Sequence, residues 1–169
     1  LRELEYYSQQ VKLEEKLSNY ENFFNSSWPT DIPIIFTFSV VPGAKVRLVP
    51  PPQGNVVFCG LLTESDDYSW YAALLVHEFS LRAFAEISLE SHQRIDQWFS
   101  ASKSPDRFMV NFMFNEVLGG AIGHKMKEDL IGPHDFTYGQ TFIRDFDKAL
   151  YPLVVSYLDE GKTLDKDFV

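Results

Sequence analysis

The stretch "LLVHEFSLRAFAE", residues 74–86, lies inside a segment that predicts one long helix from about Asp67 to Leu89. Polar side chains before it offer N-caps, and the acidic ones suit the positive end of the helix dipole. The candidate caps are Thr63, Ser65 and Asp66. Both the fold and the function of the chain depend on what this helix carries.

A histidine and a glutamate are adjacent in the middle of this helix, at His77 and Glu78. Residues four apart on a helix point the same way, because four residues turn it by only about 40° beyond a full circle. Two histidines at that spacing can bind one zinc ion, while the glutamate activates the metal-bound water. Here the second histidine's position holds Leu81.

A second glutamate follows in "FMFNEVLGGAIG", residues 112–123, where Glu116 comes 39 residues after His77. Three glycines lie on the same helix face as Glu116, at Gly119, Gly120 and Gly123. Each glycine costs a helix about 1 kcal/mol relative to alanine, so three together indicate the close approach of a neighbouring helix. If that neighbour is the helix of His77, it carries Glu116 towards His77.

The remaining segments predict a single α+β domain over residues 1–169. An amphipathic helix is expected over 1–25, a small and mainly antiparallel sheet over about 32–62, and helices over about 67–160. Short turns between the three strand-like runs favour an antiparallel meander. Pro105 suits the first turn of one later helix, and Pro152 predicts a kink in the last.

The sheet-then-helix order, "LLVHEFSL" and the downstream "NEVLGGA" together resemble the zincin metallopeptidase superfamily, on the side whose third zinc ligand is a glutamate. The chain is similar in particular to uncharacterised bacterial zincin-like domains whose helix reads His-Glu-Phe-Ser-His. The likeness covers about residues 32–128. It implies a zincin-like fold, with the small sheet packed on the helix of His77 and further helices C-terminal to it.

The resemblance also implies the roles of individual residues. Zinc would be the cofactor, with His77 as its first ligand, Glu116 as its third ligand and Glu78 as the general base. The substrate would be a peptide or protein, and the protein would be exported from a bacterial cell. Tyr138 or His134, in "GPHDFTYG" (132–139), would donate a hydrogen bond to the oxyanion, with a turn or cap role as the alternative.

Leu81 is where the chain departs from this pattern. Leucine has no atom that binds a metal, and the neighbouring Ser80 is a poor zinc ligand. Changes in the partners of metal ligands alone typically cost about 10–100-fold in metal affinity or activity. We therefore expect zinc binding to be weakened by Leu81, and peptidase activity to be impaired or absent.

Other interpretations of these residues stay open. Without a metal, His77 would hydrogen-bond within the core, and Glu78 would face solvent or a basic partner such as Arg82. The fold would then be a non-catalytic peptide- or protein-binding module. It would be a purely structural domain if His77 and Glu116 proved to be far apart. His92, His124 and His134 could each replace the missing ligand, but His92 and His124 are expected at the surface.

Composition limits the partners. The net charge of −9 and the absence of a Lys/Arg cluster argue against a nucleic acid, and no apolar run reaches the roughly 18 residues of a membrane span. The single cysteine, Cys59, excludes an internal disulfide and is expected to be buried and inert. Because the sequence begins at Leu1 rather than Met, we expect any targeting segment to precede it, which leaves the compartment open.

Overall fold

A computed structural model describes most of the chain. The residues described are 5–6, 9–10, 12–27, 33, 35–40, 55–61, 68–135 and 141–169. The chain forms two compact units, one made of Leu1–Trp28 with Ser69–Val169 and the other of Pro29–Tyr68. Helices and strands occur together, as the α+β prediction requires.

The smaller unit contains two paired strands, β1 (Ile35–Val40) and β2 (Val56–Leu61). They run parallel, in a register that places Ile35 opposite Val56. The prediction of an antiparallel arrangement is therefore wrong for these strands. Parallel neighbours need a crossover of about a dozen residues or more, and the 15 residues 41–55 satisfy that requirement. The strand predicted near 44–50 lies outside the described residues.

β2 has the alternation of a half-buried strand. Val57 and Cys59 are buried, whereas Phe58 between them is exposed. Successive side chains of a strand point to opposite faces, so a period of two follows directly from one face being covered. The expectation that Cys59 is a buried thiol is confirmed.

The larger unit begins with α1 (Leu13–Phe24), and residues 5–6 and 9–10 are also helical. The prediction of one continuous helix over 1–25 is wrong, because Lys12 has a φ of 50°. A residue with left-handed backbone cannot continue a right-handed helix. Lysine rarely adopts this conformation, so a lysine at position 12 does not predict a break in the helix.

Four further helices follow: α2 (Tyr68–Ala85), α3 (Leu89–Ala101), α4 (Arg107–Ile131) and α5 (Thr141–Asp159). The predicted helical region is confirmed in these segments. α3 starts at an N-cap, where the Ser88 hydroxyl accepts a hydrogen bond of 3.1 Å from the backbone N–H of Ser91. Pro105 precedes α4 instead of lying in its first turn, and Pro152 is inside α5.

Aromatic side chains from distant parts of the sequence pack together in this unit. Phe168 lies edge-on to Phe23, Phe114 and Tyr157, with ring centroids between 4.9 and 6.2 Å apart. Edge-to-face pairs of this kind add to the free energy gained from burying the rings. None of the described helices has an apolar stretch long enough to cross a membrane.

Candidate functional site

α2 and α4 approach each other at two of the three glycines of α4. A Cβ on Gly119 would stand 2.9 Å from Nδ1 of His77, and one on Gly123 would stand 3.0 Å from the carbonyl oxygen of Ala73. Almost any larger residue would push these helices apart. The prediction that the glycines mark a close helix approach is confirmed, and the neighbour at Gly119 and Gly123 is the helix of His77.

This approach brings His77 and Glu116 together. Nε2 of His77 lies 3.5 Å from Oε1 of Glu116. The His77 side chain is only 2% exposed, whereas the Glu116 side chain is 39% exposed. The condition that would have favoured a purely structural domain, a large separation of the two residues, is not met. One nitrogen and one oxygen donor therefore face each other at the edge of the core.

The imidazole of His77 is held in its neutral form. Burial lowers the pKa of His77 from 6.5 to about 4, and a hydrogen bond with the backbone of Gly119 opposes this only in part. Removing a cation from water is costly, so the buried ring stays uncharged near neutral pH. Neutral imidazole is the form that binds metal ions.

Glu78 is buried beside this pair, with only 4% of its surface exposed. Burial raises the pKa of Glu78, the charge of Arg82 lowers it, and the charge of Glu116 raises it further. Its Oε2 has no hydrogen-bond partner among the described residues. Of the two non-metal arrangements for Glu78, the solvent-facing one is therefore wrong, and the one involving Arg82 is supported.

Leu81 fills the space in which a second histidine ligand would be expected. Its Cδ2 atom would lie 3.2 Å from a Cβ on Gly119, the same glycine that contacts His77. Ser80 cannot substitute for the missing donor, because its hydroxyl donates a hydrogen bond of 2.8 Å to the carbonyl oxygen of Val76 within α2. The position next to His77 is thus occupied by methyl groups.

Asp147 of α5 lies against α4 at Gly120, next to the glycine that contacts His77, and no motif in the sequence pointed to it. It is fully buried, and a Cβ on Gly120 would stand only 2.3 Å from its Oδ2. Neither of its carboxylate oxygens has a hydrogen-bond partner among the described residues. Burial, followed by the nearby charge of Glu116, raises the pKa of Asp147 from 3.8 to about 7.

A signal for Asp147 was present in the sequence. Ile143, Leu150 and Val154 recur at helical spacing, and Asp147 falls on the same stripe. An acidic residue on the apolar stripe of a helix is a candidate for a buried and functional charge.

The other histidines lie elsewhere. His124 is 8% exposed, so its predicted surface position is wrong. Its ring centroid lies 4.3 Å from that of His134 and 4.9 Å from that of Tyr151. His92 is half-buried, with its ring edge-on to Phe84.

The two oxyanion candidates follow α4 in the sequence. Nδ1 of His134 lies 3.1 Å from the carbonyl oxygen of Gly132, a local contact that agrees with the turn role considered for this residue. Tyr138 lies outside the described residues, so its predicted role stays a prediction.

The donors present do not fit a three-ligand zinc site as they stand. His77 and Glu116 supply two donors, while catalytic zinc sites use three protein ligands and one open position. Within the described ranges, no group of three or more His, Cys, Asp or Glu side chains is arranged to hold a metal ion.

Comparison of the chain with protein-family models, with curated proteins and with solved structures gives no match.

Proposed function

We propose that this chain is a zinc-metallopeptidase-like domain whose metal site has lost its second histidine to Leu81 and whose peptidase activity is impaired or absent. The observation that carries the proposal is the 3.5 Å approach of His77 Nε2 to Glu116 Oε1. These two side chains come from different helices and are 39 residues apart in sequence. They are also the first and third ligands that the zincin resemblance implies.

The surroundings of this pair support the proposal. The imidazole is buried and neutral, which is the state a metal ligand needs. Glu78 follows His77 directly and is also buried, close enough to Glu116 for their charges to interact. Apolar side chains would join α2 and α4 at a lower cost in free energy, because a buried polar group loses its hydrogen bonds to water and must replace them.

The loss of activity follows from Leu81. Even altered partners of metal ligands cost about 10–100-fold in affinity or activity, so the loss of a ligand should cost at least as much. Leu81 contacts the same glycine as His77, so residue 81 faces the remaining pair. A histidine at this position would therefore meet His77 and Glu116 instead of pointing away from them.

The test is bound zinc per chain, measured by elemental analysis on this protein and on its Leu81→His variant after dialysis against the same zinc buffer. The expected result is about one equivalent in the variant and little in the parent chain. Leu81→Phe is the matched control, because phenylalanine has a ring of similar shape and no nitrogen. The double variant Leu81→His/Glu116→Gln should lose the gained zinc. Zinc content equal in Leu81→His and Leu81→Phe would disprove the proposal.

A second candidate is a non-catalytic module that binds a peptide or protein without cutting it. Leu81 favours it, because leucine cannot bind the metal that catalysis requires, whereas a module that only binds a partner does not need that ligand. Hydrolysis of a mixed peptide substrate by zinc-loaded Leu81→His separates the two candidates. Hydrolysis supports the metallopeptidase-like site, whereas bound zinc without hydrolysis supports the binding module.

A further inference from the structure

A cavity of about 270 Å³ lies where the end of α1, the helix α3 and the segment after α5 come together. Its lining includes neither His77 nor Glu116, so it is separate from the site of the proposed function. Pockets for drug-sized ligands usually measure about 300–1,000 Å³. This cavity therefore suits a smaller molecule, of the size of a single amino acid.

The buried part of the lining is apolar. Phe24, Ile87 and Ile95 are 3%, 4% and 5% exposed, and the half-buried Trp98 lines the cavity beside them. An apolar group that enters the cavity removes both its own surface and part of this lining from water. The cavity therefore favours a ligand with a large apolar side chain.

The exposed part of the lining carries two opposite charges. Arg94 comes from α3 and Asp165 from the segment after α5. Across the described ranges, neither residue forms an ion pair with the other or with a third side chain. Because both line one small cavity, a single molecule inside it can reach both charges.

Arg94 belongs to a face of α3 that is directed at the cavity. Ser91, Arg94, Ile95 and Trp98 all line it, and their spacing of three and four residues places them on one side of the helix. Nη2 of Arg94 donates a hydrogen bond of 3.2 Å to the hydroxyl of Ser91. A guanidinium has five N–H donors, so others stay available for a carboxylate.

Asp165 is held in place by its own segment. Its Oδ1 accepts hydrogen bonds from the hydroxyl of Tyr157 and from the backbone N–H groups of Asp167 and Phe168, at 2.8, 3.0 and 3.1 Å. Oδ2 is then the oxygen with which Asp165 can accept a hydrogen bond from a ligand. A carboxylate fixed in this way needs no reordering when the ligand binds.

We propose that this cavity binds a free α-amino acid with a large apolar side chain. The carboxylate of the ligand pairs with Arg94, its ammonium group pairs with Asp165, and its side chain packs against Ile95 and Trp98. A simple carboxylate would be repelled by Asp165, and a simple amine would be repelled by Arg94. A free amino acid carries both charges at neutral pH and meets neither repulsion.

The experiment is a titration of the protein with L-phenylalanine, followed by the fluorescence of Trp98. Three relatives of the ligand are compared: phenylpropionate lacks the ammonium group, phenylethylamine lacks the carboxylate, and L-alanine lacks the ring. Loss of either charge should weaken binding by about 10-fold, and loss of the ring by about 10- to 100-fold. The Trp98→Phe variant should lose the fluorescence change.

Two variants test the charges separately. Arg94→Gln should weaken the binding of phenylalanine by about 10-fold and leave that of phenylethylamine unchanged. Lys103→Gln is the matched control, because Lys103 is an exposed cation that does not line the cavity. Asp165→Asn keeps an oxygen for the internal hydrogen bonds but should bind phenylalanine and phenylpropionate about equally, which a purely structural role would not produce.

Four results would overturn the proposal. They are no binding of phenylalanine by the parent chain at about 10 mM, equal affinity of the parent chain for phenylalanine and phenylpropionate, equal affinity of Arg94→Gln and Lys103→Gln for phenylalanine, and a fluorescence change that persists in Trp98→Phe. The zinc experiment on Leu81→His is independent of all four, because Leu81 does not line the cavity. Each proposal can therefore fail without the other.

Discussion

Gly120 of α4 and Asp147 of α5 are in such close contact that a Cβ on residue 120 would lie 2.3 Å from Oδ2, 2.6 Å from Cγ and 2.8 Å from Oδ1 of the aspartate. Real Cβ atoms do not approach other heavy atoms this closely. The position of the buried carboxylate is therefore tied to the absence of a side chain at residue 120. The two residues form one structural unit, although they belong to different helices.

Gly120→Ala is expected to lower the free energy of unfolding. Alanine gains about 1 kcal/mol over glycine in a helix, but overpacking a core typically costs about 1–3 kcal/mol, and displacing a buried carboxylate falls in the upper part of that range. Denaturant unfolding measures the difference. In an Asp147→Ala background the same substitution should be neutral or stabilising. An equal loss in both backgrounds would contradict the contact.

His77 should make the protein less stable in acid. Its pKa is lowered from 6.5 to about 4 by burial, so its contribution is complete above pH 6.5 and is lost as the pH falls through the interval to 4. The loss amounts to about 3 kcal/mol at most. Unfolding free energies at neutral pH and near pH 4 should differ less in His77→Gln than in the parent chain. Equal pH dependence in the two proteins would count against a buried neutral imidazole.

Asp147 should make the protein more stable as the pH falls, which is opposite to the effect of His77. Its pKa is raised from 3.8 to about 7, so the folded state takes up a proton as the pH falls from 7 towards 4, and this contribution to stability grows over that range. Asp147→Asn removes the gain. The acid loss of stability, measured in metal-free buffer, should therefore be steeper in this variant than in the parent chain. Asp145→Asn, which changes an exposed acid on the same helix, should follow the parent. A shallower profile in Asp147→Asn would show that the carboxyl is not buried.

Phe168 should contribute strongly to stability. It is 4% exposed, and its ring lies 4.9 Å from that of Tyr157 and 5.4 Å from that of Phe23, measured between centroids. Replacing a buried phenylalanine by alanine typically costs about 3–5 kcal/mol. Thermal and denaturant unfolding of Phe168→Ala should show a loss of this size, whereas the exposed neighbour Lys166→Ala should have little effect. A similar result for both variants would mean that the aromatic cluster does not depend on Phe168.

Local sequence patterns were sufficient for the helical region after residue 67 and for one contact between its helices. The segment around His77 has the composition of a helix, whereas its predicted caps, Thr63, Ser65 and Asp66, lie outside the described residues. The glycines after Glu116 predicted the close approach that places His77 and Glu116 together. Both signals are local, because helical spacing and the cost of glycine act within a few residues of the chain.

The features that the sequence did not reveal depend on distant or atypical residues. β1 and β2 pair in parallel across a long connection, and short turn signals between them suggested the opposite direction. Lys12 interrupts the first helix with a left-handed conformation that lysine rarely adopts. Asp147 was overlooked because its partner Gly120 is 27 residues earlier, and only its place on an apolar stripe distinguishes it from an ordinary surface acid.

Pro152 interrupts the backbone hydrogen bonding of α5. Proline has no N–H, so the carbonyl of Lys148 receives no helical hydrogen bond from residue 152, and the helix is weakened at that turn. Asp147 comes before this turn in the sequence. The buried residues Val154 and Tyr157 come after it. The two parts of the helix are therefore held by different neighbours, because Asp147 contacts Gly120 of α4 whereas Tyr157 contacts Phe23 and Phe168. Strain introduced at residue 120 is expected to be absorbed at the turn that lacks this hydrogen bond, before it reaches the aromatic cluster.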